Sequence, residues 1–143
     1  MLRMLTVALA LASTIGGAAV AETYEVQMLN KGEAGNMVFE PAALSVLAGD
    51  TIKFVATDRG HNAETIKGMI PDGADAFGGK INEEFEVTLG TEGVYAVMCK
   101  PHFSMGMVMV IQVGSDAAAP DDFLAGRLPP RAKQRLEEQL SGL

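Results

Sequence analysis

The sequence predicts an all-β, antiparallel fold of the sandwich or barrel class, and three features of the chain support that prediction. Short segments in which apolar and polar residues alternate recur along most of the chain. Clusters of Gly, Asn, Asp and Pro separate these segments, as turns separate the strands of a sheet. About seven or eight such segments fit into the chain, and this number and spacing are typical of a two-sheet sandwich.

Seven segments carry the strand pattern, at residues 24–29, 37–39, 43–46, 51–56, 84–89, 94–98 and 107–113. In the fourth segment the alternation places Ile52 and Phe54 on one face, which we expect to be buried. Pro41 interrupts the pattern between the second and third segments and favours a bend or a sheet edge there. The connection 62–82 is rich in Pro and Gly, and we expect turns there rather than a regular strand.

The last part of the chain, from about residue 116, has a different pattern. Pro130 is typical of the first turn of a helix, and Leu136, Leu140 and Leu143 then lie on one side of that helix. We predict one or two short helices that pack against the sandwich. The alternative is a frayed terminus without regular structure.

The first 21 residues predict a secretory signal peptide that is removed after Ala21. Arg3 supplies the basic residue, an apolar stretch follows, and small residues occupy positions 19 and 21, as a cleavage site requires. A membrane anchor is the alternative, but the apolar stretch is short for a bilayer span and contains Gly16. Residues 22–143 then form a single domain, which we expect in the periplasm.

Charge and cysteine content limit the function classes. The chain has 18 acidic and 11 basic side chains and a net charge of −7, which argues against general nucleic-acid binding. Cys99 is the only cysteine, so no disulfide can form within the chain. In an oxidising compartment a lone cysteine pairs with a partner protein, lies buried and inert, or binds a metal.

The segment from Cys99 to Met107 carries the donor atoms of a metal site. A thiolate, the imidazole of His102 and the thioethers of Met105 and Met107 lie within nine residues, between two predicted strands. One Cys and two His in a trigonal arrangement, with a weak and distant Met, describe an electron-transfer copper site. The other histidine of the chain, His61, follows the fourth predicted strand and can therefore lie at the same end of the sandwich.

Each of these residues has an ordinary structural explanation when it is considered alone. A single loop histidine is usually solvated, a single cysteine is usually a small buried residue, and Met105, Met107 and Met109 could be core residues of a strand. Zinc accepts the same donors, but structural zinc sites usually have four Cys or His ligands and no thioether. An Asp or Glu ligand stays open. The joint occurrence of all the donors favours copper.

Several motifs together identify a family. The spacing Cys-x2-His-x4-Met at residues 99–107 is accompanied by Met28-Leu-Asn-Lys-Gly32, Met37-Val-Phe-Glu-Pro41, Gly60-His-Asn-Ala-Glu-Thr-Ile66, Met69-Ile-Pro-Asp-Gly-Ala74 and Ile81-Asn-Glu83. Through these motifs the chain resembles the pseudoazurins, small blue-copper proteins of the cupredoxin family. The spacing alone is shared with plastocyanins, but the further motifs and the helical tail separate the two groups. The resemblance covers residues 26–140.

This resemblance implies a Greek-key cupredoxin sandwich of about eight strands with two short C-terminal helices. It implies one copper ion, Cu(I) or Cu(II), bound by His61, Cys99 and His102, with Met107 as the long axial ligand. The family spacing favours Met107 over Met105. We expect no enzyme activity, because a catalytic metal needs an open position for substrate and these four ligands fill the site.

The predicted function is one-electron transport in the periplasm. The resemblance implies transient redox partners, namely a copper nitrite reductase or c-type cytochromes of denitrifying metabolism. The alternative is a copper storage or delivery protein, which would use the methionines near Cys99 as exchangeable ligands. We expect a monomer that binds neither nucleic acid nor membranes.

Basic residues near the predicted ligands indicate where partners bind. We expect a basic rim around an apolar patch, formed by residues near the ligand segments: Lys31, Arg59, Lys67, Lys80 and Lys100. Such a rim attracts an acidic partner and makes association rates depend on ionic strength. The alternative is an ordinary solvated surface without a docking role.

Overall fold

The computed structural model describes residues 17–143, which form eight strands, one 3₁₀ helix and one α-helix. The strands are β1 (Thr23–Gly32), β2 (Gly35–Glu40), β3 (Ala43–Val46), β4 (Thr51–Val55), β5 (Glu64–Thr65), β6 (Phe85–Thr88), β7 (Gly93–Met98) and β8 (Val108–Val113). The 3₁₀ helix is Lys100–Met105, and the α-helix α1 is Pro130–Ser141. Most of the predicted signal peptide, residues 1–16, lies outside the described residues. Residues 17–21 are exposed and have no regular structure.

The strands form two four-stranded sheets, with the orders β2-β1-β4-β6 and β3-β8-β7-β5. Side chains from both sheets share one core, so the predicted sandwich of about eight strands is confirmed. The expectation of a purely antiparallel arrangement is wrong, since β1 pairs with β4 and β3 pairs with β8 in parallel. The chain crosses repeatedly between the sheets, so strands that pair are often not consecutive and need not be antiparallel.

The sheet that contains β7 and β8 is buried on both of its faces. Alternate residues of β7, such as Tyr95 and Val97, pack in the core between the two sheets. The intervening residues, such as Val94 and Ala96, pack in a second core beneath the C-terminal segment. Burial on both faces explains why β7 and β8 are almost continuously apolar in sequence.

The helix α1 covers the outer face of that sheet. Leu136 is fully buried in the second core and Leu140 packs partly buried against it, whereas Leu143 follows the helix and is exposed. Gln139 Nε2 donates a 2.9 Å hydrogen bond to the carbonyl oxygen of Val108 in β8. Within residues 17–143, no helix is long and apolar enough to cross a bilayer.

One of the two predicted C-terminal helices forms. Residues 116–129 fold into turns and irregular structure, from which Phe123 is buried in the second core. Pro120, Gly126 and Pro129 interrupt this segment. Pro120 and Gly126 leave only residues 121–125 between them, and this short stretch forms turns, with the amides of Phe123 and Ala125 bonded to the carbonyl oxygens of Pro120 and Asp122.

The connections agree with the sequence pattern in most respects. Pro41, which follows a cis peptide bond, lies where the chain crosses from β2 to β3, as expected of a bend. The connection 62–82 is irregular apart from β5, a two-residue strand that pairs with β7. The pattern of apolar residues gave no signal for so short a strand.

Candidate metal centre

The β7–β8 hairpin determines the positions of Cys99 and Met107. Its antiparallel register pairs Met98 with Val108, and the amide of Cys99 donates a 2.9 Å hydrogen bond to the carbonyl oxygen of Met107, one step further along. Residues directly opposite each other in an antiparallel pair project to the same face. Both side chains are fully buried in the core between the sheets. The spacing between this cysteine and this methionine therefore follows from the closure of one hairpin.

The loop inside this hairpin is the 3₁₀ helix that begins directly after Cys99. The amide of His102 donates to the carbonyl oxygen of Cys99 at 3.2 Å, and Pro101 suits the first turn because an N–H would have no partner there. Gly106 ends the helix with a φ of 85°, a left-handed conformation that glycine adopts easily. This tight turn brings His102 back beside Cys99.

His61 reaches the same place from the loop that follows β4. The amide of Asn30 donates to Asp58 Oδ2 at 2.7 Å, which ties this loop to β1. The amide of Asn82 donates to the carbonyl oxygen of His61 at 2.8 Å, and Asn82 Oδ1 accepts a 2.7 Å hydrogen bond from the amide of Gly60. The side chain of His61 is completely buried as a result.

Three donor atoms meet at this end of the sandwich and form a nearly equilateral triangle. His61 Nδ1 lies 3.1 Å from His102 Nδ1, and Cys99 Sγ lies 3.6 Å and 3.5 Å from those two nitrogens. The point equidistant from the three atoms is about 2.0 Å from each, close to the metal–nitrogen and metal–sulfur bond lengths of about 2.0–2.3 Å. The structure thus brings together three of the four predicted ligands, His61, Cys99 and His102.

Asn30 determines which nitrogen of His61 faces the other donors. His61 Nε2 lies 2.8 Å from Asn30 Oδ1, which can only accept, so Nε2 carries the hydrogen. Nδ1 then presents its lone pair toward Cys99, as a metal-binding imidazole must. Sequence analysis did not identify Asn30 as a site residue, because a contact between residues 31 positions apart leaves no local pattern.

Asn62 ties the two ligand loops together. Its Oδ1 accepts a 2.7 Å hydrogen bond from the amide of Lys100, the residue after Cys99. Its Nδ2 donates to Glu64 Oε2 at 2.9 Å and to the carbonyl oxygen of Gly79 at 3.2 Å. The side chain is buried, and all of its polar atoms have partners. A buried, fully paired amide of this kind holds two loops in one arrangement.

The surroundings of the donor atoms favour the neutral forms of Cys99 and His61. Burial raises the pKa of the Cys99 thiol, and hydrogen bonds from the amides of Asn62 and His102 counteract only part of that rise. Burial also lowers the pKa of His61, the neighbouring His102 lowers it further, and Asp58 acts in the opposite direction. A bound cation displaces the thiol proton and takes the lone pair of a neutral imidazole, so this environment suits a metal better than a proton.

The two candidate thioethers differ in their surroundings. Met107 is fully buried in the same core cluster as Cys99, whereas Met105 is 47% exposed at the end of the 3₁₀ helix. A sulfur donor that completes the site from inside the sandwich has to come from a buried side chain. Burial therefore favours Met107 over Met105.

The two histidines differ in the same way. His61 is completely buried, whereas His102 is partly exposed and lies between exposed Pro101 and partly exposed Phe103. His102 is therefore the one of the three ligands that is not buried.

The chemistry of the donor set fits copper. Thiolate, thioether and imidazole are soft or intermediate ligands, whereas magnesium and calcium prefer oxygen donors and structural zinc prefers four Cys or His ligands. Among residues 17–143, His61, Cys99 and His102 form the one cluster of three or more potential His, Cys, Asp or Glu ligands.

Comparison with known proteins gives independent information about the family. Residues 26–114 match the model of the copper-binding proteins of the plastocyanin/azurin family. The chain is 46% identical over 121 residues to the pseudoazurin of Paracoccus pantotrophus, a match that covers 85% of this chain and 83% of that protein. The crystal structure of pseudoazurin from Methylobacterium extorquens aligns with a TM-score of 0.79 at 41% identity, covering 84% of this chain and 98% of that one. The pseudoazurin of Hyphomicrobium denitrificans aligns with a TM-score of 0.75 at 37% identity, covering 85% and 98% respectively.

A two-sheet Greek-key sandwich with one cysteine and two histidines gathered at one end is the architecture of a cupredoxin. The chain belongs to the pseudoazurins, within the plastocyanin/azurin family of copper-binding proteins. Its cofactor is copper, and its fold and donor set are those of a blue-copper electron carrier. The family resemblance and the cofactor predicted from the sequence motifs are both confirmed.

Replacing Asn62 tests whether this side chain holds the loops. Asn62→Ala should lower the free energy of unfolding by about 1–3 kcal/mol, because the Lys100 amide and the surrounding polar groups lose their partners. Denaturant titration of the metal-free protein measures this change. Asn36→Ala at an exposed position is the control and should change the value by less than about 0.5 kcal/mol. Equally small effects of both substitutions would contradict the proposed tie.

Proposed function

We propose that this protein is a periplasmic one-electron carrier whose copper ion is bound by His61, Cys99 and His102, with Met107 as the axial ligand. The triangle of donor atoms is the observation that carries the proposal, since its centre is at metal-bond distance from all three. Bound copper would supply the redox chemistry by alternating between Cu(II) and Cu(I).

The contribution of the protein is to hold the donors in one arrangement while the charge of the metal changes. Cys99 and Met107 are fixed by paired backbone, and Asn30 fixes the ring of His61. Asn62 joins the two loops that carry these donors. Ligands that are held in this way need little rearrangement when an electron arrives or leaves, which favours rapid transfer.

The absorption spectrum of the oxidised, copper-loaded protein tests this function. We expect an intense visible band from charge transfer between the Cys99 thiolate and copper, and Cys99→Ser should abolish it because an alkoxide or alcohol is a much harder donor. A blue Cys99→Ser protein would contradict the ligand assignment. Wild-type protein that binds copper without that band would instead match a storage or delivery protein.

Paired substitutions identify the sulfur ligand. Met107→Leu should raise the midpoint potential, by on the order of tens of millivolts, because the potential of such sites depends on the axial ligand. Met105→Leu replaces a half-exposed side chain and should leave both the potential and the spectrum unchanged. Protein-film voltammetry of both variants measures the difference. The reverse pattern would assign the ligand to Met105.

The proposed partner-binding surface is the end of the molecule where His102 is exposed. Two of the large exposed apolar side chains adjoin the site in sequence. Met105, 47% exposed, belongs to the ligand loop, and Ile81, 54% exposed, precedes Asn82, whose amide is bonded to His61. Exposed apolar side chains of this size beside a functional group are typical of an interaction surface.

Basic side chains adjoin the same segments. Four exposed basic residues are close in sequence to residues of the site: Lys31, Arg59, Lys80 and Lys100. In the part of the chain that the structure describes, the only ion pair joins Lys53 to Glu25, so no carboxylate within 4.0 Å neutralises these four. Lys67, which the sequence also places in the rim, follows Ile66 of the second core instead of a ligand segment.

An acidic redox protein fits this surface, and the resemblance to pseudoazurins implies a copper nitrite reductase or a c-type cytochrome. Lys31→Glu should slow electron transfer to a copper nitrite reductase about tenfold at low ionic strength, and added salt should reduce the difference. Lys53→Glu is the control, because it makes the same charge change on β4 and should slow transfer less. Stopped-flow rates that depend neither on Lys31→Glu nor on salt would point to an ordinary solvated surface.

The surroundings of Glu22 support export and removal of residues 1–21. Residues 17–21 are exposed and have no regular structure, so their removal would cost the domain no buried contacts. The amide of Glu22 donates to Asp50 Oδ1 at 2.9 Å, and Asp50, which is 4% exposed, also accepts a 2.8 Å hydrogen bond from the amide of Leu47. Cleavage would turn the Glu22 nitrogen into an ammonium group that pairs with this buried carboxylate.

A chain that begins at Glu22 should therefore be more stable than one extended by N-acetylated Ala21, by about 1 kcal/mol. Asp50→Asn should remove most of this difference, as a double-mutant cycle of unfolding free energies would measure. The hydrogen bond from the Tyr24 hydroxyl to the Glu22 carboxylate is present in both chains, so it does not contribute to the difference in stability. Equal stabilities at pH 7 would contradict this role of Asp50.

A further inference from the structure

Arg135 is a buried cation without a carboxylate partner. It lies on the inner face of α1 and is 8% exposed, and no Asp or Glu oxygen of the described residues lies within 4.0 Å of it. Its guanidinium group donates to three main-chain carbonyl oxygens, those of Met37 and Gly106 at 2.8 Å and that of Asn36 at 2.9 Å. A buried charge is costly unless its donors are well paired, and here backbone carbonyl groups accept the hydrogen bonds while Glu138 acts only from beyond contact distance.

These three carbonyl groups come from two different parts of the fold. Asn36 and Met37 belong to β2, where Met37 has a φ of 52°, an uncommon conformation for a residue other than glycine. Gly106 ends the 3₁₀ helix of the ligand loop and directly precedes Met107. Arg135 therefore joins α1, β2 and the ligand loop at a single point.

The peptide unit between Gly106 and Met107 is fixed at both of its polar groups. Its carbonyl oxygen accepts the hydrogen bond from Arg135, and its N–H donates to the carbonyl oxygen of His102 at 3.1 Å. The first turn of α1 also packs directly on Gly106, since a Cβ atom there would lie 2.5 Å from Arg131 Cγ and 3.1 Å from the Arg131 carbonyl oxygen. The backbone that leads into the proposed axial ligand thus has little freedom to move.

We propose that Arg135 is a positioning residue of the copper site. It fixes the Gly106–Met107 peptide unit, and its buried charge favours the reduced metal. This inference rests on the function proposed above. The positioning effect arises because the guanidinium group connects the ligand loop to two other elements. The charge effect arises because a fixed cation repels Cu(II) more strongly than Cu(I), and burial reduces the screening of that repulsion by water.

Two substitutions separate these effects. Arg135→Lys keeps the charge but cannot reach all three carbonyl oxygens, because an ammonium group lacks the planar fork of a guanidinium group. Arg135→Gln removes the charge and most of the hydrogen bonds. Lys133→Gln is the matched control, because it removes the same charge from an exposed residue of the same helix.

The midpoint potential reports the charge. Compared with Arg135→Lys, Arg135→Gln should shift the electron-exchange equilibrium with a reference couple toward the oxidised protein by about three- to tenfold. Arg135→Lys loosens the same loop but keeps the charge, so the difference between the two variants reports the charge alone. Lys133→Gln should shift the equilibrium by less than about twofold, because it removes a screened charge.

The spectrum and amide exchange report the positioning. Both Arg135 variants should shift the visible copper band, because the Met107 sulfur is held less firmly. In the metal-free protein the Met107 amide should exchange its hydrogen about tenfold faster in both variants, while the amides of β4 in the other sheet keep their wild-type rates. Lys133→Gln should change neither measurement.

The outcomes that contradict the inference are distinct. Equal potentials for Arg135→Gln and Arg135→Lys would overturn the charge effect. A wild-type spectrum together with wild-type amide exchange at Met107 would overturn the positioning effect. Amide exchange that becomes faster by the same factor at Met107 and in β4 would also overturn it, because that result indicates a general loss of stability. Colourless copper-loaded wild-type protein would instead refute the proposed function, while amide exchange still tests the role of Arg135.

Discussion

The hydrogen bond between the Cys99 amide and the Met107 carbonyl oxygen is the constraint on which the metal centre depends. It extends the β7–β8 pairing by one step and so places both sulfur-containing side chains in the core between the sheets. The short segment between them must turn back tightly, and the 3₁₀ helix that results returns His102 to the side of Cys99. Only one further loop then has to dock, and Asn62 attaches it through the amide of Lys100.

Burial of the β7–β8 sheet on both faces gives this hairpin its rigidity. The inner face packs against the other sheet, and the outer face packs against α1. Arg135 and Gln139 of that helix also bond to the carbonyl oxygens of Gly106 and Val108, the residues on either side of Met107. The C-terminal helix is therefore part of the frame that holds the ligands, because it restrains the backbone as well as covering apolar side chains. A carrier that must change charge without changing shape benefits from both restraints.

The range of an interaction decides how well the sequence predicts it. Cys99 and His102 share one loop, so their spacing alone indicates a metal site, and His61 follows because it is the only other histidine. The partners of Arg135 lie 98, 29 and 99 residues away, and all are main-chain carbonyl oxygens, which any residue type can provide. No side-chain pattern can reveal such contacts. The same reason hides the parallel pairing of β1 with β4, because alternation identifies a strand but not its neighbour or direction.

The acidic net charge and the basic rim act at different distances. At physiological ionic strength the Debye length is about 8 Å, so acidic residues farther away than this have little influence on a partner that touches the proposed rim. A net charge of −7 therefore does not prevent an acidic protein from docking, but it makes other orientations unfavourable. The favoured orientation presents His102, the partly exposed histidine, while His61 stays buried behind it. Under the proposed function, the basic rim and the exposure of His102 therefore favour the same end of the molecule, so the encounter that is electrostatically favoured would also be the one that can transfer an electron.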